Sequence, residues 1–558
     1  MQTRQFVPTD LTVSGYGSYS VPVQLSPFAE TIFRQKYSMN GTETWAEAST
    51  RVAQNVMAAL GYAPNDAAVR RIEEFIATRK FIPGGRYLYA AGRPLHQVCN
   101  CLLLRAEDTR EGWGDLWRKA GMALLTGAGI GIEYSSIRPS GSKISRTGGE
   151  ASGPCSLMHT VNEIGRQVMQ GGSRRSAIWA GLVWSHDDVD KFLRVKDWAE
   201  DVRALRRQDP SFPAPMELTN VSIRLDDHFF DAYTDPDHPD NGRAHEVYDT
   251  AVRRMCKTGE PGFSVDLGKN AGEHLRNACT EVTSADTDDV CNLGSINLAR
   301  IETVDELRNV IDAAVLFLIA GSEYTSLPYN EVGAVRDSNR RLGLGVMGVH
   351  EWLLARGKAY GPDAELASWL AEYSMSTNIA AGWADKHSLS RPVKTRAIAP
   401  TGTIGIIGET TTGIEPVYCV AYKRRYLVGS VWAEDRIVDP TAARLIREHA
   451  IDPSEIEDAY TLSLEPGRRI EMQAWTQQYV DHGISSTVNL PHPLDADDAD
   501  AFGAVLMQYL PELRGITAYP SGARGLDPLE RMEYAEAAAL GAAERESEER
   551  CVGGACGV

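Results

Sequence analysis

The chain has 558 residues, 43% of them apolar and 24% charged, an ordinary composition for a folded protein that excludes fibrous and disordered classes. Fifty-seven Lys and Arg stand against 75 Asp and Glu, a net charge of −18. That balance excludes a general binder of nucleic-acid backbones, so an anionic substrate must be held by a local site.

Residues 1–25, rich in Ser, Gly, Val and Pro, read as an extended arm. Residues 26–80 carry helical periodicity through Val52, Val56, Leu60, Ile72, Phe75 and Ile76, and FIPGGR (Phe81–Arg86) breaks it. From there to residue 525, short strand-like or Gly-rich runs (GAGIGIEYSSI, AIWAGLVW, RRLGLGVMG, TGTIGIIG) alternate with helical stretches, which predicts an α/β sheet or barrel. Trp198–Glu217, polar and Pro-containing, reads as a surface loop. AAVLFLIAG (Ala313–Gly321) is half the length a bilayer needs and reads as a buried helix, so no membrane partner is expected. After Tyr519 a charged, Ala-rich, helix-like stretch leads to CVGGACGV, making residues 526–558 a tail that ends in two thiols. The N-terminus shows no basic stretch followed by an apolar core, so the nine cysteines read as cytoplasmic thiols with catalytic, redox or metal-binding roles.

Four cysteine features carry chemistry. Asn277-Ala-Cys279-Thr-Glu281 sets a thiol between an amide and a carboxylate; on an extended loop all three would point one way, giving a base, a hydroxyl holder and a redox sulfur. Taken alone, so short a pattern is more often a loop with an incidental buried cysteine. Cys291 heads CNLGSINLARI, whose Leu-Gly-Ser-Ile-Asn-Leu run reads as a tight turn into a strand. Cys99-Asn100-Cys101 precedes three leucines and reads as a strand with a buried thiol, or as half of a metal site lacking its second pair. Cys551 and Cys556 end a tether of about 26 residues that reaches roughly 25–30 Å when flexible, which suits a dithiol shuttle. Separately, Pro400, Thr401, Gly402, Thr403 and Ile404 open a run of small residues whose backbone N–H groups and hydroxyls suit a phosphate, although an ordinary Gly-rich turn has the same composition.

Taken in order, NCLLL (Asn100–Leu104), GGEASGP (Gly148–Pro154) with QGGSRR (Gln170–Arg175), NACTE followed by CNLGSINL, APTGTIGIIGETTTGIEP (Ala399–Pro416), VDHGISSTVNLP (Val480–Pro491) and the terminal CVGGAC resemble the catalytic chains of ribonucleotide reductases. The resemblance runs from Ser26 to the C-terminus and implies a ten-stranded α/β barrel with a central finger loop, preceded by a small helical region. It implies that Cys279 is the thiyl radical that takes the ribose 3′-hydrogen, that Glu281 deprotonates the 3′-hydroxyl and that Asn277 binds the ribose hydroxyls. Cys101 and Cys291 become a disulfide as the 2′-hydroxyl leaves as water, and Cys551 and Cys556 reduce it again, recycled by a thioredoxin-like donor. Asn100 and residues 400–404 contact substrate; Asp108, Arg138, Gln170 and Arg174 serve a deoxynucleotide effector.

Tyr519 is followed by Pro520, which breaks the adjacent-tyrosine relay of branches with a separate radical subunit, and nothing near Ser521–Gly525 resembles a glycyl-radical loop. With GIEPVYCVAYKRR (Gly413–Arg425), these features resemble the adenosylcobalamin-dependent class II branch. No ATP cone and no partner-mimicking insertion are expected, which implies a cytoplasmic homodimer without on/off control by dATP. The substrate is a di- or triphosphate, with diphosphate favoured. Cys99, Cys155, Cys256 and Cys419 read as small buried hydrophobes. The alternatives are a catalytic subunit that needs a separate radical-generating partner, and a non-catalytic thiol or zinc-binding protein using the CxC and Cx4C pairs.

Overall fold

The computed structural model describes residues 24–539 apart from 146–147, 169–175, 210–211, 429–430 and 524–528. The N-terminal arm up to residue 23, Gln170, Arg174 and the tail bearing Cys551 and Cys556 therefore lie outside the described residues.

Three helices, Pro27–Lys36, Trp45–Met57 and Ala67–Ala77, occupy the predicted helical region. The second begins in a capping box: Thr44 Oγ1 accepts from Glu47 N–H while the Glu47 carboxylate accepts from Thr44 N–H. Among the described residues fifteen strands follow: β1 (Phe81–Pro83), β2 (Cys101–Arg105), β3 (Gly129–Glu133), β4 (Ile178–Val183), β5 (Thr219–Asp226), β6 (Gly262–Asp266), β7 (Leu275–Arg276), β8 (Thr283–Ser284), β9 (Asp289–Asn297), β10 (Leu342–Met347), β11 (Ala421–Val428), β12 (Val431–Val438), β13 (Thr487–Leu490), β14 (Gly515–Pro520) and β15 (Leu529–Arg531).

Ten strands hydrogen-bond into one sheet, ordered β1-β9-β2-β3-β4-β5-β6-β14-β13 with β10 on β9. Strands β2 to β6 run parallel to one another, as their helical crossovers require. Outside this parallel block the sheet is antiparallel at β2/β9, β6/β14 and β1/β9. The bridges Leu344↔Arg396 and Ile398↔Ile484 join β10 to residues 395–398 and these to the segment entering β13, closing the sheet into a barrel. The mixed α/β barrel expected from the sequence is the observed architecture.

Apolar packing follows the two halves. The N-terminal helices, β1, β10 and the helix Val304–Tyr324 share one core. The helices between β2 and β6 share another with the outer faces of those strands. Val304–Tyr324 starts on Thr303, whose side chain accepts from Glu306 N–H, and is buried on every side from Ala313 to Ser322, as its apolar run demands. No helix among the described residues is long and apolar enough to cross a membrane.

Four local expectations are corrected. Trp198–Glu217 contains the helix Glu200–Gln208, because Glu200 and Asp201 favour a first turn and no proline occurs before Pro210. TGTIGIIG is a helix, Gly402–Gly408. Leu293 to Asn297 is no turn but the continuation of β9; Gly294 is needed there because a Cβ would lie 2.7 Å from the Phe81 ring. Beyond Tyr519, Leu529–Arg531 adds as a strand to the edge of β11, and the helix runs only from Tyr534 to Ala539 among the described residues.

Candidate active site

Strands β7 and β8 form a two-rung hairpin, Leu275↔Ser284 and Arg276↔Thr283, with residues 277–282 as its tip. The hairpin stands inside the barrel, because it touches strands all round the wall. Arg276 Nη2 donates to the carbonyls of Val265 on β6 (2.9 Å) and of Arg514 (3.3 Å). On the stretch of wall beside Arg514, Gly483 N–H donates to the Glu281 carbonyl (2.7 Å). A Cβ on Gly131 of β3 would stand 1.7 Å from the Arg276 carbonyl oxygen, so the finger passes only because β3 has glycine there.

The tip is a turn, not the extended loop the alternating pattern predicts. Thr280 adopts φ +69 and its N–H donates to the Asn277 carbonyl at 3.0 Å. Asn277 and Glu281 are drawn inward and buried, while Cys279 at the apex is half-buried. Asn277 secures the tip from within: its Oδ1 accepts from Val282 N–H (3.0 Å) and its Nδ2 donates to Cys101 Sγ (3.2 Å).

Cys101 opens β2 and faces Cys291 on β9 as a directly paired residue across the antiparallel seam. Such pairs have Cα atoms about 4.5–5.5 Å apart, within the range a disulfide spans. Both are thiols here, and both side chains join Leu103, Leu275 and Val282 in a small apolar cluster between the wall and the finger. Burial pushes both thiols well above the ordinary cysteine range, so they hold their protons at neutral pH. Burial likewise pushes the Glu281 carboxyl up to about 7, and its Oε2 has no hydrogen-bond partner.

The segment from Pro400 reaches this centre through the barrel wall. Gly483, bonded to Glu281, offers its carbonyl to Ile398 N–H (3.2 Å), and the chain three residues later enters Thr401 (φ +52) and the helix Gly402–Gly408. The first N–H groups of a helix have no intrahelical acceptor, so Gly402, Thr403 and Ile404 present donors there. The Thr401 hydroxyl oxygen already accepts from Gly413 N–H (2.9 Å). Asn100 immediately precedes Cys101 and its carbonyl accepts from Gly129 N–H (2.8 Å).

Asp108 and Arg138 come together as an ion pair (Arg138 Nε to Asp108 Oδ2, 2.6 Å) on the surface. They follow the ends of β2 and β3, so they lie at the opposite end of β2 from Cys101. Cys99, Cys256 and Cys419 are buried as expected, whereas Cys155 is only half-buried. Among the described residues no cysteine joins a group of ligands close enough to hold a metal ion.

Sequence reasoning missed the polar base of the finger. The Glu273 carboxylate meets Lys394 and Arg514, Arg341 Nε pairs with buried Asp289 (2.5 Å), and His482 Nδ1 accepts from Thr283 N–H (3.1 Å). These residues are spread over 242 positions, from Glu273 to Arg514. No local spacing marks them, and the histidine in VDHGISS was the one available cue.

Residues 99–241, 240–377 and 390–510 match the family described as ribonucleotide reductase, barrel domain. A vitamin B12-dependent ribonucleoside-diphosphate reductase of Mycobacterium tuberculosis (strain CDC 1551 / Oshkosh) is 29% identical over 90% of this chain and 80% of its own length. A protein of the same description from Thermoplasma acidophilum is 28% identical over 81% of this chain and 65% of its own. The Actinobacillus ureae class Id ribonucleotide reductase alpha subunit superposes with a TM-score of 0.70 at 17% identity, covering 90% of this chain and 99% of that one, a likeness of fold. With the family match spread over most of the barrel and the finger carrying its cysteine beside a cross-strand thiol pair, the chain belongs to the ribonucleotide reductases.

Proposed function

We propose that this enzyme reduces ribonucleotides to 2′-deoxyribonucleotides through a thiyl radical on Cys279, with adenosylcobalamin as the radical source. The observation that carries the reading is the assembly inside the barrel of Cys279, Glu281 and Asn277 on one turn against the Cys101–Cys291 pair.

Each group suits its step. A ribose C–OH bond is unactivated, so the reaction needs radical initiation, which is a cofactor's chemistry. Cys279, as a thiyl, removes the 3′-hydrogen atom. Glu281 accepts the 3′-hydroxyl proton at its buried Oε2, which has no hydrogen-bond partner within the protein, and Asn277 orients the ribose hydroxyls. Cys101 and Cys291 together give up two electrons and two protons: one proton leaves with the 2′-hydroxyl as water, the other hydrogen is added at C2′, and the pair ends as a disulfide while Glu281 returns its proton to the 3′-oxygen. Cys279 then returns its hydrogen to C3′ and is again a thiyl.

The residues fit adenosylcobalamin. Cys101 and Cys291 are closed off, while the one thiol that an external radical source must reach is only half-buried. Tyr519 precedes a proline, and its ring lies over Gly259, where a Cβ would come within 2.6 Å, so no adjacent-tyrosine relay is formed. When bound, adenosylcobalamin supplies the homolytic chemistry that starts the reaction. Both curated relatives described above are named as B12-dependent diphosphate reductases, which supports this cofactor and a diphosphate substrate for this chain as well.

The donors at 402–404 suit the substrate phosphates, and the Asp108–Arg138 pair, with Gln170 and Arg174, suits a deoxynucleotide effector at the interface of a homodimer. Cys551 and Cys556 serve as the shuttle between the internal disulfide and a thioredoxin-like protein. The test is anaerobic turnover of the purified chain with CDP or CTP, a paired effector and dithiothreitol. Deoxynucleotide is expected with adenosylcobalamin, none without it, and none from Cys279→Ala although that variant still binds nucleotide. Product formed without cobalamin, or by Cys279→Ala, contradicts the proposal; a folded chain that binds nucleotide yet makes no product points to a separate radical subunit.

A further inference from the structure

Glu281 is followed by a backbone that is pinned at every residue. The Glu281 carbonyl accepts from Gly483 N–H (2.7 Å), Val282 N–H donates to Asn277 Oδ1 (3.0 Å), and Thr283 N–H donates to His482 Nδ1 (3.1 Å). The Thr283 hydroxyl also lies 3.2 Å from that nitrogen. Two of the three anchors thus come from one dipeptide, His482-Gly483, on the neighbouring stretch of wall.

That dipeptide is itself fixed. His482 N–H donates to the Arg396 carbonyl (3.0 Å), and the His482 carbonyl accepts from Gln477 Nε2 (2.8 Å). Gly483 lies so close that a Cβ would stand 3.2 Å from the carbonyl oxygens of both Thr280 and Glu281. His482 is fully buried, and its ring makes one further demand. Because Thr283 N–H is the donor, Nδ1 must be bare and the ring proton sits on Nε2, which has no hydrogen-bond partner. A buried N–H without an acceptor is a cost that a purely space-filling side chain would avoid. Burial together with Lys394, Arg341, Arg514 and Arg276 keeps the imidazole neutral, with Nδ1 available as an acceptor.

We propose that His482 is a positioning residue: by accepting the Thr283 amide it locks the finger's return strand and so sets the Glu281 carboxylate against the ribose. This rests on Glu281 being the base of the reaction. His482 touches neither substrate nor reacting sulfur; it acts through Thr283.

The test compares His482→Asn, His482→Gln and His482→Ala in the full chain. An asparagine amide oxygen falls where Nδ1 was, whereas a glutamine oxygen falls nearer Nε2. His482→Asn is therefore expected to keep kcat within about threefold of the parent, while the Gln and Ala variants lose about 10- to 100-fold in kcat with KM for the ribonucleotide unchanged. If His482→Ala fails to fold, the Asn and Gln pair, both polar and of similar size, still decides. Equal kcat in all variants, an Asn variant as slow as the Gln variant, or a loss expressed in KM overturns the proposal. Glu281→Gln is assayed alongside: full activity in that variant removes the base assignment itself. An inactive Glu281→Gln beside fully active His482 variants removes only the clamp.

Discussion

A carboxylate buried where its charge is poorly solvated is costly to the fold and useful to a reaction that needs a base near neutral pH. The Glu281 carboxyl, raised by burial from 4.5 to about 7, is in that position. If it takes the 3′-hydroxyl proton as carboxylate, kcat/KM rises with pH through about 7 with the slope of one proton. Glu281→Gln is expected to lose that limb together with about 10²–10⁴-fold of turnover, read from a pH–rate profile. The same shift has a stability consequence. Since the folded-state value lies above the unfolded one, the contribution of Glu281 is fully favourable only below about 4.5 and is lost as pH rises through about 7. Glu281→Gln is then more stable than the parent by about 3 kcal/mol at pH 8, and by nothing at pH 4, in denaturant titrations. Equal stability of the two proteins at pH 8 would show that the carboxyl is not desolvated. Cys101 and Cys291, raised by the same burial, arrive protonated, which suits hydrogen donors rather than nucleophiles.

Among the structural elements, the finger decides the site, and it fits through the barrel by way of glycine. The Arg276 carbonyl fills the space a side chain on Gly131 would need, and Ala278 lies 3.1 Å from where a Cβ on Gly129 would be. The three nearest atoms at Gly131 all belong to the backbone of Arg276 and Asn277, so none can give. Gly131→Ala is expected to cost about 3 kcal/mol or more and to abolish turnover, whereas Gly129→Ala, facing one methyl group, is milder. Denaturant midpoints check the order, and a Gly131→Ala protein as stable as the parent would contradict a finger threaded through the barrel. The cysteines were legible in the sequence because each sits in a short local motif: Cys101 at a strand start, Cys291 in a strand, Cys279 between an amide and a carboxylate. The turn at the tip was not, since nothing in NACTE announces a left-handed Thr280. The closing wall was not either, because residues 395–398 and 482–485 hold the barrel by single bridges and carry no alternating pattern. The helix Glu200–Gln208 was hidden by the prolines that follow it.

For the whole molecule, the acidic surface and the anionic substrate are reconciled by geography. A net charge of −18 coexists with Arg276, Lys394, Arg341 and Arg514 gathered at the base of the finger, so the local field within the barrel differs from that of the exterior. A buried thiol pair also needs a carrier to bring electrons in, which is the role proposed for Cys551 and Cys556, outside the described residues. Replacing both with serine is expected to leave dithiothreitol-driven turnover near the parent's and to reduce thioredoxin-driven turnover at least about tenfold; equal loss with both reductants would remove the shuttle.

The central claim is that the Cys101–Cys291 pair supplies the electrons to a ribose held at Cys279. Its most direct measurement is a single anaerobic turnover of the Cys551→Ser/Cys556→Ser chain with adenosylcobalamin, ribonucleotide and no external reductant, followed by thiol alkylation and peptide mass spectrometry. The account predicts about one deoxynucleotide per chain and Cys101 joined to Cys291, with Cys99, Cys155, Cys256 and Cys419 alkylated. Deoxynucleotide formed while both Cys101 and Cys291 remain alkylatable would contradict it.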